Sequence, residues 1–271
     1  MPFMTGTELQ VTQPIAIFGD VDLGIWGLLI VGEQPRLAIA ALDSDPAEIA
    51  LEPATVDRDD GDGGDDGDGN GDGNGDGDGD GDWEVWSVTS GRHSLRLEQG
   101  QATTLTPGGD IDLQPLRVTG TATLAGEPIE IDVAGVLSES GLDSRAGSSR
   151  LFGSWFPAGH QIVLRARRPR GARGQDRDQI DVVALGEKDA LVFDPRLSTT
   201  YDAVATPRQA GLELWIGPDE EGDQYPRRVS SVATGSSITV STDGATLNAT
   251  ALQCLSRGEI GVGVYVLFSA E

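Results

Sequence analysis

The sequence predicts an all-β, antiparallel protein built as two barrel or sandwich halves. Apolar residues recur with period two in more than a dozen short segments, turns of Gly, Pro, Asp and Ser separate those segments, and no stretch of three turns carries a capped amphipathic helical stripe.

The N-terminal segments IAIFGD (15–20), LGIWGLLIV (23–31) and RLAIAAL (36–42) read as strands, with a further candidate at 42–51. WEVWSV (83–88) and SLRLE (94–98) alternate cleanly. LRVTGTATL (116–124) and IEIDVAGVL (129–137) flank the turn Ala125-Gly126-Glu127-Pro128, whose glycine supplies a positive φ, and together they predict a hairpin. Later candidates are 160–166, 179–185, 212–216, 228–233, 237–241, 245–252 and 260–268. A soft boundary in QGQATTLTPGGD (99–112) divides the chain into an N-terminal half, 1–108, and a C-terminal half, 109–271.

Between strand candidates lies the tract 59–82, made of eleven Asp, eleven Gly and two Asn. Without apolar side chains it cannot offset the ~1–2 kcal/mol per residue that ordering a backbone costs, so the sequence predicts a flexible anionic loop insertion. Lengthening a loop costs only about 0.6 kcal/mol per doubling, which leaves the flanking strand pair intact. Asp66, Asp68, Asn70 and Asp72 begin an EF-hand-like spacing and are the candidate calcium ligands. The pattern then fails, because the twelfth position is Gly77 and no helices flank it, so diffuse cation condensation is the preferred reading.

The formal charge is −25, and Lys188 is the only lysine. Removing the eleven tract aspartates leaves −14 on the remaining 247 residues, so the acidity is spread over the chain. Such a composition fits a salt-in halophile, in which counter-ions screen carboxylate repulsion. It also opposes nucleic-acid binding. Cys254 stands alone, which excludes an intramolecular disulfide and fits a cytoplasmic protein. The longest apolar run falls far short of the roughly 20 residues of a membrane span. No cofactor motif and no P-loop or nucleophile elbow is found, and the sequence does not determine the oligomeric state.

LGIWGLLIV (23–31), LRVTGTATLAGEPIEIDVAGVL (116–137) and LVFDPRLSTTYDAVATPRQAGLELWI (191–216) resemble the two-half β-barrel proteins related to hydroxyneurosporene synthase and the AttH-like proteins. The resemblance implies paired lipocalin-like barrels and, with the acidic composition, a haloarchaeal member of that group. Its enzymes carry a His-Trp-Gly or Glu-Trp-Gly motif after the central hairpin. The corresponding stretch here, SESGLDSRAGSSRLFGSW (138–155), has no histidine, so no catalytic residue is carried over.

The function expected is therefore non-catalytic binding of an apolar small molecule, isoprenoid or lipid-like, with Trp155, Trp215, His160 and Arg165 as candidate contacts. The alternatives are an enzyme of the same fold using Glu139, Asp178 or Asp181, and a structural or protein-interaction module. The arginines of RARRPRGARGQDR (165–177) point either to an anion site or, preferably, to pairing with nearby carboxylates. His93 and His160 read as surface or strand-edge imidazoles. Dispersed carboxylates predict that the thermal midpoint rises steeply between dilute buffer and molar KCl. An unchanged midpoint, after allowance for general salting-out, removes the halophile reading.

Overall fold

The computed structural model describes residues 13–59, 85–100, 113–139, 146–172, 178–185, 192–216, 226–242 and 245–270. These form two antiparallel sheets. The first contains β1 (Ile15–Asp20), β2 (Ile25–Ile30), β3 (Arg36–Ala41), β4 (Glu52–Pro53), β5 (Thr55–Asp59), β6 (Val85–Ser90), β7 (His93–Gln99), β8 (Leu113–Leu124) and β9 (Glu127–Ser138). Their spatial order is β4-β3-β2-β1-β9-β8-β7-β6-β5. The outermost strands, β4 and β5, are separated in sequence by Ala54 alone, so the sheet must curl until its edges meet. Ser90 Oγ donates across that closure to the Pro53 carbonyl at 2.9 Å.

The second sheet contains β10 (Ala146–Trp155), β11 (Gln161–Pro169), β12 (Gln179–Leu185), β13 (Val192–Tyr201), β14 (Pro207–Ile216), β15 (Pro226–Thr242), β16 (Ala245–Ser256) and β17 (Glu259–Ala270). Its order is β12-β11-β10-β17-β16-β15-β14-β13. Here too the edge strands, β12 and β13, follow one another in the chain and touch. The fold is the all-β, antiparallel architecture that the periodicity predicts, in the two-barrel form that the resemblance implies.

The differences from the expected strands are local. The candidate at 42–51 is a turn segment with a 3₁₀ turn at Pro46–Glu48, capped by Asp45, and the strand preceding the acidic tract is β5. β5 and β6 pair from Thr55↔Thr89 to Asp59↔Val85, so the chain leaves and re-enters the sheet at neighbouring positions. Residues 60–82 of the tract, with Asp66, Asp68, Asn70 and Asp72, lie outside the described residues, as do Trp83, Arg173 and Arg177. The hairpin β8–β9 forms as expected around Ala125 (φ 49°) and Gly126 (φ 89°). It belongs to the first sheet, between β7 and β1, whereas a division at 108/109 assigns it to the second half. β8 continues the meander from β7, and the sheets separate between Ser138 and Ala146.

Apolar side chains fall into three clusters. Ala16, Phe18, Leu29, Leu37, Trp86 and Val118 belong to the one inside the first barrel. Phe152, Leu164, Leu212, Leu252 and Tyr265 belong to the one inside the second. Between the barrels, Ile17, Trp26 and Leu28 of the first meet Leu151, Trp155, Val264 and Val266 of the second. The period of two divides β1 between clusters, with Ile15 and Ile17 facing the seam and Ala16 and Phe18 facing inward. β17 divides likewise, Val262, Val264 and Val266 against Tyr265 and Leu267. Gly27 is required by this packing, because a Cβ there would meet the ring of Phe18, its cross-strand partner, at 2.1 Å.

A polar link crosses the seam. Trp26, fully buried, donates its Nε1–H to Ser236 Oγ at 2.7 Å, and Ser236 Oγ donates to the Ala41 carbonyl at 3.0 Å. Ser236→Ala strands a buried indole N–H and costs about 1–3 kcal/mol in urea unfolding. Trp26→Phe in the Ser236→Ala background should cost less than the sum of the two single changes. Strict additivity in that double-mutant cycle shows that the bond couples nothing.

Candidate functional site

Three of the four candidate ligand contacts are held in structural roles. Trp155 is buried in the seam, its ring against Gly153, and its Nε1 finds no partner. Trp215, on β14, is half-buried. His160 is buried and stacks on Phe156 at 4.2 Å between centroids, with Nδ1 at 3.6 Å from Glu259. Arg165 is buried and pairs with Asp181 at 3.3 Å, and Arg167 reaches the same carboxylate at 3.5 Å. None of the four lines any of the cavities described below. Pairing with carboxylates, the preferred reading of the arginine run, is what Arg165, Arg167 and Arg168 show. His93 is buried, not a surface imidazole, and Nδ1 accepts from the Thr123 amide at 3.2 Å. Burial lowers its pKa, which Glu52 opposes and Arg92 assists. Among the described residues no three His, Cys, Asp or Glu side chains gather as metal ligands.

The structure instead gathers polar side chains at one end of the second barrel. Its walls change character along the strands. Phe152 and Leu164 fill the middle, but one same-face step further along β10 comes Arg150 and, beyond Ala166 on β11, Arg168, both reaching Asp178 just before β12. Arg150 Nη2 donates to Asp178 Oδ2 at 2.5 Å. Arg168 grips the same carboxylate with both Nε (2.7 Å) and Nη2 (3.0 Å). The Asp178 side chain is 1% exposed, that of Arg150 5% and that of Arg168 33%, so the cluster presents one cation to the outside.

A second group completes this end. Tyr265 of β17 is buried, and its hydroxyl lies 3.0 Å from both Thr199 Oγ1 and Tyr201 OH of β13. Arg168 is close enough to both phenols for their charges to influence it. Tyr201 and Asp202 form a wall shared by two clefts. One, about 440 Å³, is lined by Arg150, Arg168, Thr199 and Leu267; the other, about 770 Å³, by Thr206, Pro207, Arg208, Val232 and Thr250. A third, about 700 Å³, shares Thr200, Gln209 and Val232 with the second and adds Leu255 and Ile260. All three volumes are in the range of small-molecule sites, ~300–1,000 Å³.

Tyr265, Cys254 and Asp178 are each held in one form. Burial and the neighbouring Tyr201 push the Tyr265 phenol well above its usual value despite the Thr199 hydrogen bond, so it stays protonated. Burial pushes the Cys254 thiol up to about 12, against a weaker opposing bond from Ser231, which leaves it a poor nucleophile. Burial alone would raise the Asp178 carboxyl, but the hydrogen bonds and charges of Arg168 and Arg150 outweigh it and hold the group below the ordinary carboxylate range. A folded pKa below the unfolded one stabilises fully above the usual carboxylate range, and that stability is lost as the pH falls through the folded value. Asp178→Asn is therefore expected to cost roughly 3 kcal/mol or more at neutral pH, since it leaves two guanidiniums facing each other. The gap from the wild type should narrow between pH 7 and pH 3 in urea unfolding. A gap that stays constant over that range shows that the Asp178 charge is not what stabilises the cluster.

Comparison with known proteins concerns the fold alone. No protein-family model matches the chain, and no curated protein matches it by sequence. Among solved structures, kievitone hydratase from Nectria haematococca aligns over 96% of this chain and 90% of its own, with 8% identity and a TM-score of 0.50. A protein described as an AttH candidate from Nitrosomonas europaea aligns over 99% of both chains, with 13% identity and a TM-score of 0.46. The chain thus shares the two-barrel fold of kievitone hydratase.

Proposed function

We propose that the protein binds a small molecule carrying polar oxygen atoms on an apolar body, at the polar end of the second barrel. The observation that carries this reading is the hydrogen-bonded series Thr199–Tyr265–Tyr201, which ends on Tyr201, an exposed residue in the wall shared by two clefts. Two further groups support it. Thr250 Oγ1, on the larger cleft, and Arg150 Nε, on the smaller, are buried without hydrogen-bond partners, and buried donors and acceptors are ordinarily satisfied. Ala203, Ala205 and Leu267 supply apolar surface beside them.

The interiors of both barrels are packed with their own Leu, Val, Phe and Trp side chains, which moves the expected site from the interior to the mouth. Binding is preferred to catalysis because general acid–base work needs a group that changes protonation near the working pH. Asp178 and Tyr265 are each held in one state. Asp202, the remaining carboxylate on the walls, has Oδ1 occupied by the amides of Val204 (2.9 Å) and Thr206 (2.8 Å).

Amphiphilic fragments screened by ligand-observed NMR should bind the wild type. Ser148→Phe, which places a ring at the rim of the smaller cleft, should weaken the hits at least tenfold while the melting profile is kept. Fragments that bind both proteins equally place the site elsewhere, and a screen without hits removes the reading.

A further inference from the structure

Resting on that reading, we propose that the ligand of the smaller cleft is an alkyl or aryl carboxylate, received by Arg168 with Tyr201 as a second donor. The argument begins with charge. Two guanidiniums share the single carboxylate of Asp178, so the cluster carries one net positive charge in a protein whose overall charge is −25. A third of the Arg168 side chain faces out, whereas Arg150 and Asp178 are closed off. Asp202 lines the same cleft but does not occupy these guanidiniums. It forms no ion pair with Arg150 or Arg168 among the described residues, and its Oδ1 is held by two backbone amides of its own turn.

The donors on this wall match a carboxylate. Arginine presents N–H groups in a planar fork suited to two oxygens. Arg168 directs Nε and Nη2 at Asp178, which leaves the opposite side of the guanidinium available. Arg150 keeps a buried Nε–H with no acceptor. Tyr201 OH lies beside the protonated Tyr265 phenol, and with one proton on each oxygen one of the two can donate onward. Leu267, Ala203 and Ala205 line the same space, which favours an organic acid over an inorganic anion. Asp202 at the rim opposes a second negative charge, so the class is a monoanion.

Isothermal titration calorimetry with octanoate, octan-1-ol and inorganic phosphate, in matched KCl buffer at pH 7, tests this. Octanoate should bind the wild type at least tenfold more tightly than octan-1-ol, and phosphate should bind less tightly than octanoate. Arg168→Gln keeps the Arg150–Asp178 pair and should bring octanoate down to the level of octan-1-ol. Arg168→Lys should restore part of the difference. If octan-1-ol binds as well as octanoate, the carboxylate assignment is overturned while the cleft stays a small-molecule site. Phosphate binding as tightly as octanoate overturns the organic-acid class. If none of the three binds and the fragment screen is also empty, both readings fall. The wild-type comparison decides between these outcomes even if the Arg168 variants do not fold.

Discussion

Everything in this molecule rests on a few strands that are buried on both faces. β1, β2, β3 and β17 each send alternate side chains into a barrel interior and into the seam between barrels. Burying a Val, Leu or Ile side chain contributes about 1.5–3 kcal/mol, and the seam contains many such residues, whereas the Trp26–Ser236 bond contributes on the order of 1 kcal/mol. Burial therefore supplies the stability of the seam, and the bond fixes its alignment. An indole N–H in a dry interface is satisfied in one register only, and Ser236 in turn is tied to the carbonyl that ends β3.

The same constraint explains what could be read from the sequence. A strand covered on both faces has no polar positions, so IAIF, IWGLLI and VGVYVLF stand out as unbroken apolar runs. Strands with one face in solvent alternate instead: β6 and β7 do so residue by residue, and the expected segments fell close to them. The β8–β9 hairpin was legible from Gly126 within the turn expected at 125–128, although β9 already begins at Glu127. Its membership of the first sheet was not, because nothing in a hairpin's own residues says which sheet edge it joins.

Besides the short β4 and β5, two strands escaped the alternation altogether, β10 (AGSSRLFGSW) and β13 (VFDPRLSTTY). β13 is an edge strand whose Pro195 and positive-φ Asp194 sit at a register shift, which is where an edge tolerates proline. β10 starts with small polar residues because its first half lies beside the barrel mouth, not its core. These two strands supply Arg150, Thr199 and Tyr201. The site was illegible for a physical reason: polar groups turned into a barrel break the pattern by which strands are recognised. Asp178 was a candidate carboxylate in the sequence, but its two arginine partners are 28 and 10 residues away and meet it only through strand pairing.

The arginine run shows how a strongly acidic protein uses cations. Two carboxylates of the second barrel each take two guanidiniums, Asp181 those of Arg165 and Arg167 and Asp178 those of Arg150 and Arg168. On an exposed surface such pairs contribute little, about 0–1 kcal/mol, and salt screens them. Here Asp178 is closed to water, so its field is not screened and both arginines are held in fixed geometry. A rigid guanidinium with one side open is already oriented for an incoming anion and loses little conformational freedom on binding. Carboxylates spread over the rest of the surface keep the molecule strongly negative as a whole. The mouth of the second barrel is a local exception to that charge, and it persists because its cations are fixed from below by Asp178.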